Sequence, residues 1–312
     1  MPITDICVIG GSGFVGRHLC QQLAQRGFRV RVPTRDRERA KPLILLPTVD
    51  VVVADVHDPA VLARVIRGCD AVINLVGVLH DGRGPRGFAA AHVELARKVV
   101  AACRDAGVRR LLHMSALAAA ADAPSHYLRS KGKAEGIVRE SALDWTIFRP
   151  SVIFGPDDNF LNLFAGLLRM LPVLPLAGHR ARFQPVYVGD VAEAFVQALA
   201  DRATFAGSHD LCGPKRYTLR ELVSFVGATT GCRRPIVGLG STLSWLQALS
   251  MELLPVKLMT RDNLRSMQVD SVCDCAFPFG IRPQALEAVA PHWLAECTPR
   301  ARYQHYRNAA GR

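Results

Sequence analysis

Two short motifs in the sequence could bind an anion or take part in a reaction. The first is a glycine-rich stretch, Gly10–Gly16, which directly follows an apolar run. Its glycines would let the backbone turn tightly and approach a phosphate, and the next helix would present free N–H groups. The second is the pair Tyr127 and Lys131. On a helix their spacing places both side chains on one face, where the ammonium would lower the phenol pKa and make it a general acid or base.

The glycine-rich stretch is typical of a dinucleotide-binding turn, because it joins the first strand-like segment to the first helical segment. Its spacing has two interpretations. Gly11, Gly13 and Gly16 fit the pattern Gly-x-Gly-x-x-Gly, whereas Gly10, Gly13 and Gly16 fit Gly-x-x-Gly-x-x-Gly. A purely structural glycine turn is the alternative. The residues expected to contact the cofactor here are Gly10, Ser12, Gly13, Phe14, Val15 and Gly16.

The end of the second strand-like segment indicates which dinucleotide is bound. Thr34 and Arg35 stand where NAD-binding folds usually place an acid. An arginine suits the 2′-phosphate of NADP(H), and residues 29–41 contain six cationic against two acidic side chains. We therefore predict NADP(H), with contacts from Thr34 and Arg35, while Asp36 leaves NAD(H) open. The outer arginines are expected to form a solvated basic loop.

The first half of the sequence alternates short apolar strands with helical segments. This alternation predicts an α/β fold, a Rossmann-type doubly wound parallel sheet with a smaller, mostly helical C-terminal lobe. We predict an NAD(P)-binding domain at residues 1–206, with residues 156–182 inserted toward the substrate side, and a substrate or partner lobe at residues 207–312. A strand at 183–188 and a helix at 191–199 are expected to return to the sheet. The other predicted strands cover residues 6–9, 29–32, 51–54, 71–75, 110–114 and 145–148.

Composition limits the class of protein and its partners. Of the 312 residues, 49% are hydrophobic and 21% charged, which excludes a disordered chain, and no apolar run is long enough for a multi-span membrane protein. The net charge of +12 suggests an anionic partner. Most of the nine cysteines lie in apolar contexts and are expected to be reduced core residues. No zinc or other metal site is expected, and no signal peptide precedes the first strand, so a cytoplasmic protein is expected.

These motifs together resemble the extended or atypical short-chain dehydrogenases/reductases, which are epimerase/dehydratase-like proteins. Further support comes from Asp55-Val56, Met114-Ser115, Arg149-Pro150, Gly155-Pro156 and Pro185–Ala192. The chain is most similar to the branch containing the nucleotide-binding accessory subunit of respiratory complex I and its bacterial relatives. The segments that carry this finer resemblance are His113–Leu117, Ile153–Gly155, Phe160–Asn162, Leu211–Pro214, Tyr217-Thr218 and Leu258–Asp262.

The resemblance implies roles for individual residues. Tyr127 would exchange a proton with the substrate, Lys131 would lower the pKa of Tyr127 and hold the nicotinamide ribose, and Ser115 would polarise the substrate carbonyl. One position departs from the family pattern, because the catalytic hydroxyl can also align at Ala116, within the almost all-alanine stretch 116–121. Ser125 and His126 are candidates to replace that hydroxyl. The remaining cofactor contacts implied are Asp55, Val56, Val76, Gly77, Lys131 and Pro150.

Three functional hypotheses follow. The first is an NADP(H)-binding oxidoreductase acting on a quinone-like or apolar carbonyl substrate. The second is a non-catalytic nucleotide-binding accessory or assembly protein of a respiratory or ubiquinone-biosynthesis complex, and the third is an NAD-dependent sugar epimerase or dehydratase. The apolar segment 243–258 and the basic tail 300–312 are each either structural or a contact with a membrane, so a peripheral location at the inner membrane face is the alternative to a cytoplasmic one. No nucleic-acid partner is expected.

Overall fold

The computed structural model describes residues 3–252, except 83, 85 and 86, and residues 259–295. The chain forms two compact units. The first comprises Met1–Pro150, Val188–Leu211 and Asp274–Ile281, and the second comprises Ser151–Tyr187, Cys212–Cys273 and Arg282–Arg312. The chain therefore passes between the units at five places. The sequence predicts a boundary near residue 206 and an insertion toward the substrate side at residues 156–182.

Strands and helices alternate through the first unit and become shorter in the second. The strands are β1 (Asp5–Ile9), β2 (Arg29–Thr34), β3 (Val49–Val53), β4 (Ala71–Asn74), β5 (Arg110–Met114), β6 (Asp144–Pro150), β7 (Ile153–Phe154), β8 (Leu174–Leu176), β9 (Arg182–Phe183), β10 (Val186–Tyr187), β11 (Gly207–Leu211), β12 (Tyr217–Thr218) and β13 (Ile236–Gly238). The helices are α1 (Phe14–Gln25), α2 (Lys41–Ile44), α3 (Pro59–Ile66), α4 (Leu95–Asp105), α5 (His126–Arg139), α6 (Leu161–Met170), α7 (Val188–Ala200), α8 (Leu219–Thr229), α9 (Ser241–Glu252), α10 (Arg261–Ser266), α11 (Leu286–Val289) and α12 (Pro291–Leu294).

A seven-stranded parallel sheet forms the centre of the first unit and confirms the predicted Rossmann-type fold. The strand order is β11-β6-β5-β4-β1-β2-β3. Apolar side chains of α3, α4 and α5 pack on one face of the sheet, and α1 and α7 pack against each other on the opposite face. The order reverses direction at β1 and β4, so the carboxyl ends of these strands flank the crevice in which such sheets bind ligands.

The seventh strand of the sheet differs from the prediction. Residues 183–188 do not join the sheet but contribute the short strands β9 and β10, which pair with β12 and β7. Pro185 lies between them and has no N–H to donate to a ladder. The seventh strand is instead β11, whose Ser208, His209 and Asp210 break the apolar pattern. A half-polar sequence is tolerated there because β11 is an edge strand, paired only with β6. The predicted helix at 191–199 does return to the first unit, as α7.

The second unit has its own apolar core, in which α6, α8, α11 and α12 meet. Its short strands form three pairs, β7 with β10, β8 with β13 and β9 with β12. The start of α6 is set by the buried Asp158, whose Oδ1 accepts hydrogen bonds from the N–H groups of Phe160 (2.7 Å) and Leu161 (2.6 Å). Side chains that contribute to this core include Leu161, Leu168, Leu222, Val226 and Leu286.

The expectation that the cysteines are reduced core residues is wrong for one pair. Cys212 and Cys273 form a disulfide within the second unit, with Cα atoms 6.4 Å apart. The expectation rested on apolar neighbours in the sequence, whereas pairing depends on which distant segments the fold brings together. Four further cysteines are buried thiols of the first unit, as expected: Cys7, Cys20, Cys69 and Cys103.

The apolar segment predicted at 243–258 is described only in part. Helix α9 contains its first residues, while residues 253–258 and the basic tail 300–312 lie outside the described residues. Within the described part of the chain, none of the helices combines the length and the apolar character needed to cross a bilayer.

Candidate functional site

The turn Gly10–Gly16 packs closely against neighbouring backbone. Gly10 has a φ of +85°, and a Cβ there would lie 3.2 Å from the backbone nitrogen of Val76, after β4. A Cβ at Gly16 would lie only 2.5 Å from the Cα of Gly11. Glycine at these positions therefore lets the start of α1 approach the turn and the end of β4, as a dinucleotide-binding turn requires.

The N-terminus of α1 has the properties of an anion site. Gly13 occupies the position before the helix with extended backbone (φ −77°, ψ 177°), and no described side chain caps the helix here. The first turn contains no acidic residue. The N–H groups at the start of a helix need acceptors, and the helix dipole favours a negative charge. The first-turn residues Phe14, Val15 and Gly16 therefore fit the pyrophosphate of a dinucleotide.

The end of β2 lies beside this turn. The hydroxyls of Ser12 and Thr34 are 3.3 Å apart, and Thr34 Oγ1 also donates a hydrogen bond to the Asp36 carbonyl oxygen (3.0 Å). The Asp36 carboxylate is engaged locally, because it lies 3.3 Å from Arg39 Nε. Arg35 is exposed. Arg35 is therefore accessible to a ligand beside the glycine turn, whereas the Asp36 carboxylate already has a partner.

Asp55 and Val56 follow β3, at the edge of the sheet where the parallel strands end. Asp55 is exposed, and its Oδ1 accepts a hydrogen bond from the His57 N–H (3.0 Å), while Val56 packs against the core beneath. Burial is the largest cause lowering the pKa of His57; Arg35 lowers it further and Asp55 opposes both. Arg35 and Asp55 are thus close enough to act on the same imidazole, although they follow different strands.

Lys131 is almost fully buried and links two strand ends. Its Nζ donates hydrogen bonds to the carbonyl oxygens of Val76 (3.2 Å), after β4, and Met114 (3.0 Å), at the end of β5. A Cβ on Gly77 would lie 3.2 Å from this Nζ. Burial lowers the pKa of Lys131 to about 8. The predicted residues Val76, Gly77 and Lys131 are therefore brought together, with a lysine that is mostly charged at neutral pH.

Tyr127 lies one turn earlier on α5, and its pKa shifts in the direction opposite to the one we predicted. Its ring packs edge-on against Phe88 (centroids 5.9 Å apart) and His92 (5.7 Å), and the residue packs against an apolar cluster formed by Ala116, Ala123 and Leu128. Burial raises the pKa of Tyr127 to about 12. The cost of removing a phenolate from water thus sets the direction of the shift, while the Lys131 ammonium is directed to two carbonyls.

Ser115 follows β5 and is 3% exposed. Its N–H donates to the Phe148 carbonyl oxygen (2.7 Å), but within the described part of the chain its Oγ has no hydrogen-bond partner. A buried hydroxyl without a partner costs free energy, which a ligand oxygen would recover. This property fits the predicted role in polarising a carbonyl.

The alanine-rich loop after Ser115 is packed rather than open. A Cβ on Gly132 of α5 would lie 2.5 Å from the carbonyl carbon of Ala120, so α5 and the loop are in direct backbone contact. Pro150, at the end of β6, accepts a hydrogen bond from the Leu117 N–H (3.0 Å). Ser125 is the helix cap of α5 and accepts from the Leu128 N–H (3.1 Å). Its hydroxyl therefore caps α5, and its candidacy as a substitute for the catalytic hydroxyl stays a prediction.

The structure also shows a buried histidine that our sequence reasoning missed. His92 Nε2 accepts a hydrogen bond from the Val78 N–H (3.0 Å), and its Nδ1 lies 2.7 Å from Ser130 Oγ. Ser130 Oγ in turn donates to the Tyr127 carbonyl oxygen (2.7 Å). The chain of donors and acceptors requires a neutral imidazole with its proton on Nδ1. His92 thus ties the segment after β4 to the first turn of α5.

A second buried histidine, His113, lies in β5, where the charge of Lys131 acts on it. His113 Nδ1 is 3.3 Å from Asn74 Nδ2, on the neighbouring strand, and among the described residues its Nε2 has no partner. Burial, followed by the charge of Lys131, lowers the pKa of His113 to about 3 and that of His92 to about 2. Two polar residues at paired positions of otherwise apolar strands, Asn74 and His113, were the signal that could have revealed this pair.

We predict that the protein loses stability in mild acid because His92 and His113 are buried in the neutral form. Both stay neutral in the folded chain, whereas in the unfolded chain each binds a proton as the pH falls below about 6.5. The unfolded state therefore takes up more protons, and each histidine lowers the free energy of unfolding by about 1.4 kcal/mol per pH unit. Urea unfolding of the wild type and His92→Gln at pH 7.5 and 5.5 checks this. The variant should lose less stability on acidification, and an equal loss in variant and wild type contradicts the assignment. His126→Gln, at an exposed histidine, is the control.

Sequence comparisons show which proteins the chain is similar to. A protein family described as NAD(P)H-binding matches residues 10–162. Mitochondrial subunit 9 of the NADH dehydrogenase (ubiquinone) 1 alpha subcomplex from Mus musculus is 31% identical, over 90% of this chain and 77% of its own length. The Arabidopsis thaliana protein of the same name is 35% identical over 70% of this chain, but the match spans only 56% of that relative. A ceramide reductase from Caulobacter vibrioides is 33% identical over 75% of this chain and 73% of its own length.

Solved structures show the same fold at lower identity. A dTDP-glucose 4,6-dehydratase from Streptomyces venezuelae, with NAD bound, has a TM-score of 0.73 at 21% identity and covers 98% of each chain. An NADPH-dependent quinone oxidoreductase from Escherichia coli, in complex with NADPH, also has a TM-score of 0.73, at 18% identity, and covers 91% of this chain and 98% of its own. At this level of identity the likeness concerns the fold alone.

Proposed function

Because the chain belongs to the NAD(P)H-binding short-chain dehydrogenases/reductases, in the family of the alpha subcomplex subunit 9 proteins, we propose that it binds NADP(H) and reduces an apolar carbonyl compound. The observation that carries the proposal is the uncapped N-terminus of α1, held against the glycine turn at the crevice of a doubly wound sheet. Such a helix start is an anion site, and in this fold it receives a dinucleotide pyrophosphate.

The residues that would hold the cofactor follow successive strands. The turn Gly10–Gly16 would bind the pyrophosphate, Arg35 the 2′-phosphate, and Asp55 with Val56 the adenine. Lys131 would hold the nicotinamide ribose. Val76 and Gly77, after β4, and Pro150, the last residue of β6, would line the remaining length.

Arg35 is the residue on which the preference for NADP(H) depends. Replacing it by glutamate should weaken NADPH binding by about 10- to 100-fold, the effect of losing a charge-assisted hydrogen bond, and should leave NADH binding nearly unchanged. Fluorescence titration of both nucleotides measures the change. Arg37→Glu makes the same charge change at another exposed arginine and is the matched control. Equal losses in the two variants would indicate a general effect of charge and not a phosphate contact.

The catalytic proposal uses the side chains of α5 and β5. When bound, the nicotinamide would supply the hydride for the carbonyl carbon. Tyr127, with its pKa raised to about 12, is protonated at neutral pH, which is the form that can donate a proton to the carbonyl oxygen. The Ser115 hydroxyl would donate a hydrogen bond to the same oxygen. The charged Lys131 would favour the phenolate that Tyr127 becomes after donating its proton.

An apolar ketone or a quinone-like compound is the proposed substrate class. The support is the Caulobacter relative, whose name is ceramide reductase, together with the subunit 9 relatives of a ubiquinone-linked dehydrogenase. The test is NADPH oxidation by the purified chain with a series of ketones of increasing chain length and with a short-chain quinone. Turnover that rises with apolar length supports the proposal. NADPH binding without oxidation by any of these compounds would refute the catalytic part.

A non-catalytic accessory role is the second candidate. It is favoured by Ala116, which stands where the family's catalytic hydroxyl can align and is buried in an apolar cluster with Ala123, against which Tyr127 packs. In this role the bound nucleotide would stabilise the fold, and the protein would associate peripherally with a respiratory or quinone-biosynthesis complex. The distinguishing observation is the bound nucleotide after purification: retained NADPH that no acceptor oxidises supports the accessory role.

A further inference from the structure

Helix α9, in the second unit, carries its apolar side chains on the outside. Its buried residues are small, Ser244 and Ala248. The large residues are exposed: Leu243 by 57%, Trp245 by 49% and Leu246 by 56%. A helix that packed only on its own unit would show the reverse pattern.

The elements next to α9 expose apolar side chains as well. Gln247 Nε2 donates a hydrogen bond to the Pro175 carbonyl oxygen (3.0 Å), which fixes α9 beside β8, and β8 pairs with β13. Val173 precedes β8, Val237 lies in β13 and Met170 ends α6; Met170 is 80% exposed and the other two are also exposed. We call the six exposed residues of these elements the α9 face: Met170, Val173, Val237, Leu243, Trp245 and Leu246.

The charges around the α9 face are mainly positive. Residues 159–187 and 222–251, which include almost all of these elements, contain five arginines and no aspartate or glutamate. Helix α10, which packs against α9, adds Arg261, Arg265 and one acid, Asp262. Arg234 Nε donates to the Leu168 carbonyl oxygen (3.2 Å) near the end of α6. The guanidinium of Arg261 lies over the Trp245 ring, 5.8 Å from its centroid. The one acid of α9, Glu252 at its last position, is neutralised by an ion pair with Arg261 (3.0 Å).

Exposed leucines and a tryptophan bordered mainly by arginines match one kind of partner. Apolar side chains gain free energy by entering the outer part of a bilayer, and the arginines would meet anionic head groups. Tryptophan is favoured at the depth where head groups and acyl chains meet. We propose that the α9 face docks the protein on an anionic membrane surface, without crossing it. This inference is independent of the proposed reductase function.

Vesicle sedimentation with the full chain tests the proposal. Vesicles of phosphatidylcholine mixed equally with phosphatidylglycerol should bind the protein, and vesicles of phosphatidylcholine alone should bind it much less. A triple variant, Leu243→Gln, Trp245→Gln and Leu246→Gln, should bind the mixed vesicles about tenfold more weakly or worse. The substituted residues are exposed, so the variant should fold. Leu45→Gln, at an 84% exposed leucine of the first unit, is the matched control and should bind as the wild type does.

A second variant tests the charges. Arg169→Gln with Arg233→Gln should weaken binding to the mixed vesicles about tenfold, because each basic residue near an anionic surface contributes to attraction. Arg64→Gln with Arg104→Gln, at exposed arginines of the first unit, should have no effect. Unchanged vesicle binding of the triple variant would overturn the proposal, and so would equal binding of the wild type to neutral vesicles. Sedimentation velocity tests a second possible partner. If the wild type forms a dimer and the triple variant does not, the α9 face binds a second copy of the chain, and the membrane proposal is overturned.

Discussion

Replacement of Tyr127 by phenylalanine is expected to reduce turnover with NADPH and an apolar ketone by about 10²- to 10⁴-fold, the usual contribution of a positioned general acid. The phenylalanine ring keeps the contacts with Phe88 and His92, so NADPH affinity should change little. Steady-state kinetics and a nucleotide titration on the same preparation separate the two effects. Unchanged turnover in the variant would contradict the proton-transfer role.

The dependence of that turnover on pH provides a second readout. Burial lowers the pKa of Lys131 to about 8, so its ammonium loses its proton as the pH rises through that value. The reduction rate should therefore fall above about pH 8. In Lys131→Met this fall should be absent, at a much lower rate.

Ser115→Ala, which removes a buried hydroxyl without a described partner, should also slow turnover, yet should not destabilise the fold.

Replacement of Gly16 by alanine is expected to have the largest effect on nucleotide binding. The added methyl group would lie 2.5 Å from the Gly11 Cα, so the turn and the start of α1 must separate. Separation moves the first-turn N–H groups away from the phosphate position, and we expect NADPH affinity to fall by about 100-fold or more. The overpacking should also lower the free energy of unfolding by about 1–3 kcal/mol.

Gly136→Ala is the matched control for this change. Gly136 lies in α5, and a Cβ there would have no described atom within 4 Å apart from the adjacent backbone of its own helix. Alanine is the better helix former, so this variant should be slightly more stable and should bind NADPH as the wild type does. Calorimetric titration with thermal unfolding of both variants makes the comparison. If Gly16→Ala bound NADPH normally, the glycine turn would not be the pyrophosphate site.

Features that depend on local backbone could be predicted from the sequence. The glycine turn was recognised because a tight turn followed by a helix start needs glycine at particular positions, and the observed contacts of Gly10 and Gly16 are of this kind. The first six strands were recognised because β-branched and apolar residues cluster where a parallel sheet is buried on both faces. The roles assigned to the site residues remain predictions for the experiments above.

Features that depend on pairing between distant segments could not be predicted. The strand β11 is half polar and exists because β6 offers it a free edge. His92 and Ser130 are 38 residues apart, and Asn74 and His113 are 39 apart, so their hydrogen bonds arise only once the turn before α4, helix α5 and the strands have assembled. The pKa of Tyr127 was predicted in the wrong direction for a related reason. Burial is a property of the whole packed loop, whereas the lysine four residues away is visible in the sequence.

The measurement that tests the central claim most directly is a calorimetric titration of the purified full chain with NADPH and, separately, with NADH. We expect one NADPH to bind per chain, and we expect it to bind about tenfold or more tightly than NADH because of the Arg35 contact. Absence of binding by both nucleotides, in a preparation freed of retained cofactor, would contradict the claim that this chain is an NADP(H)-binding protein.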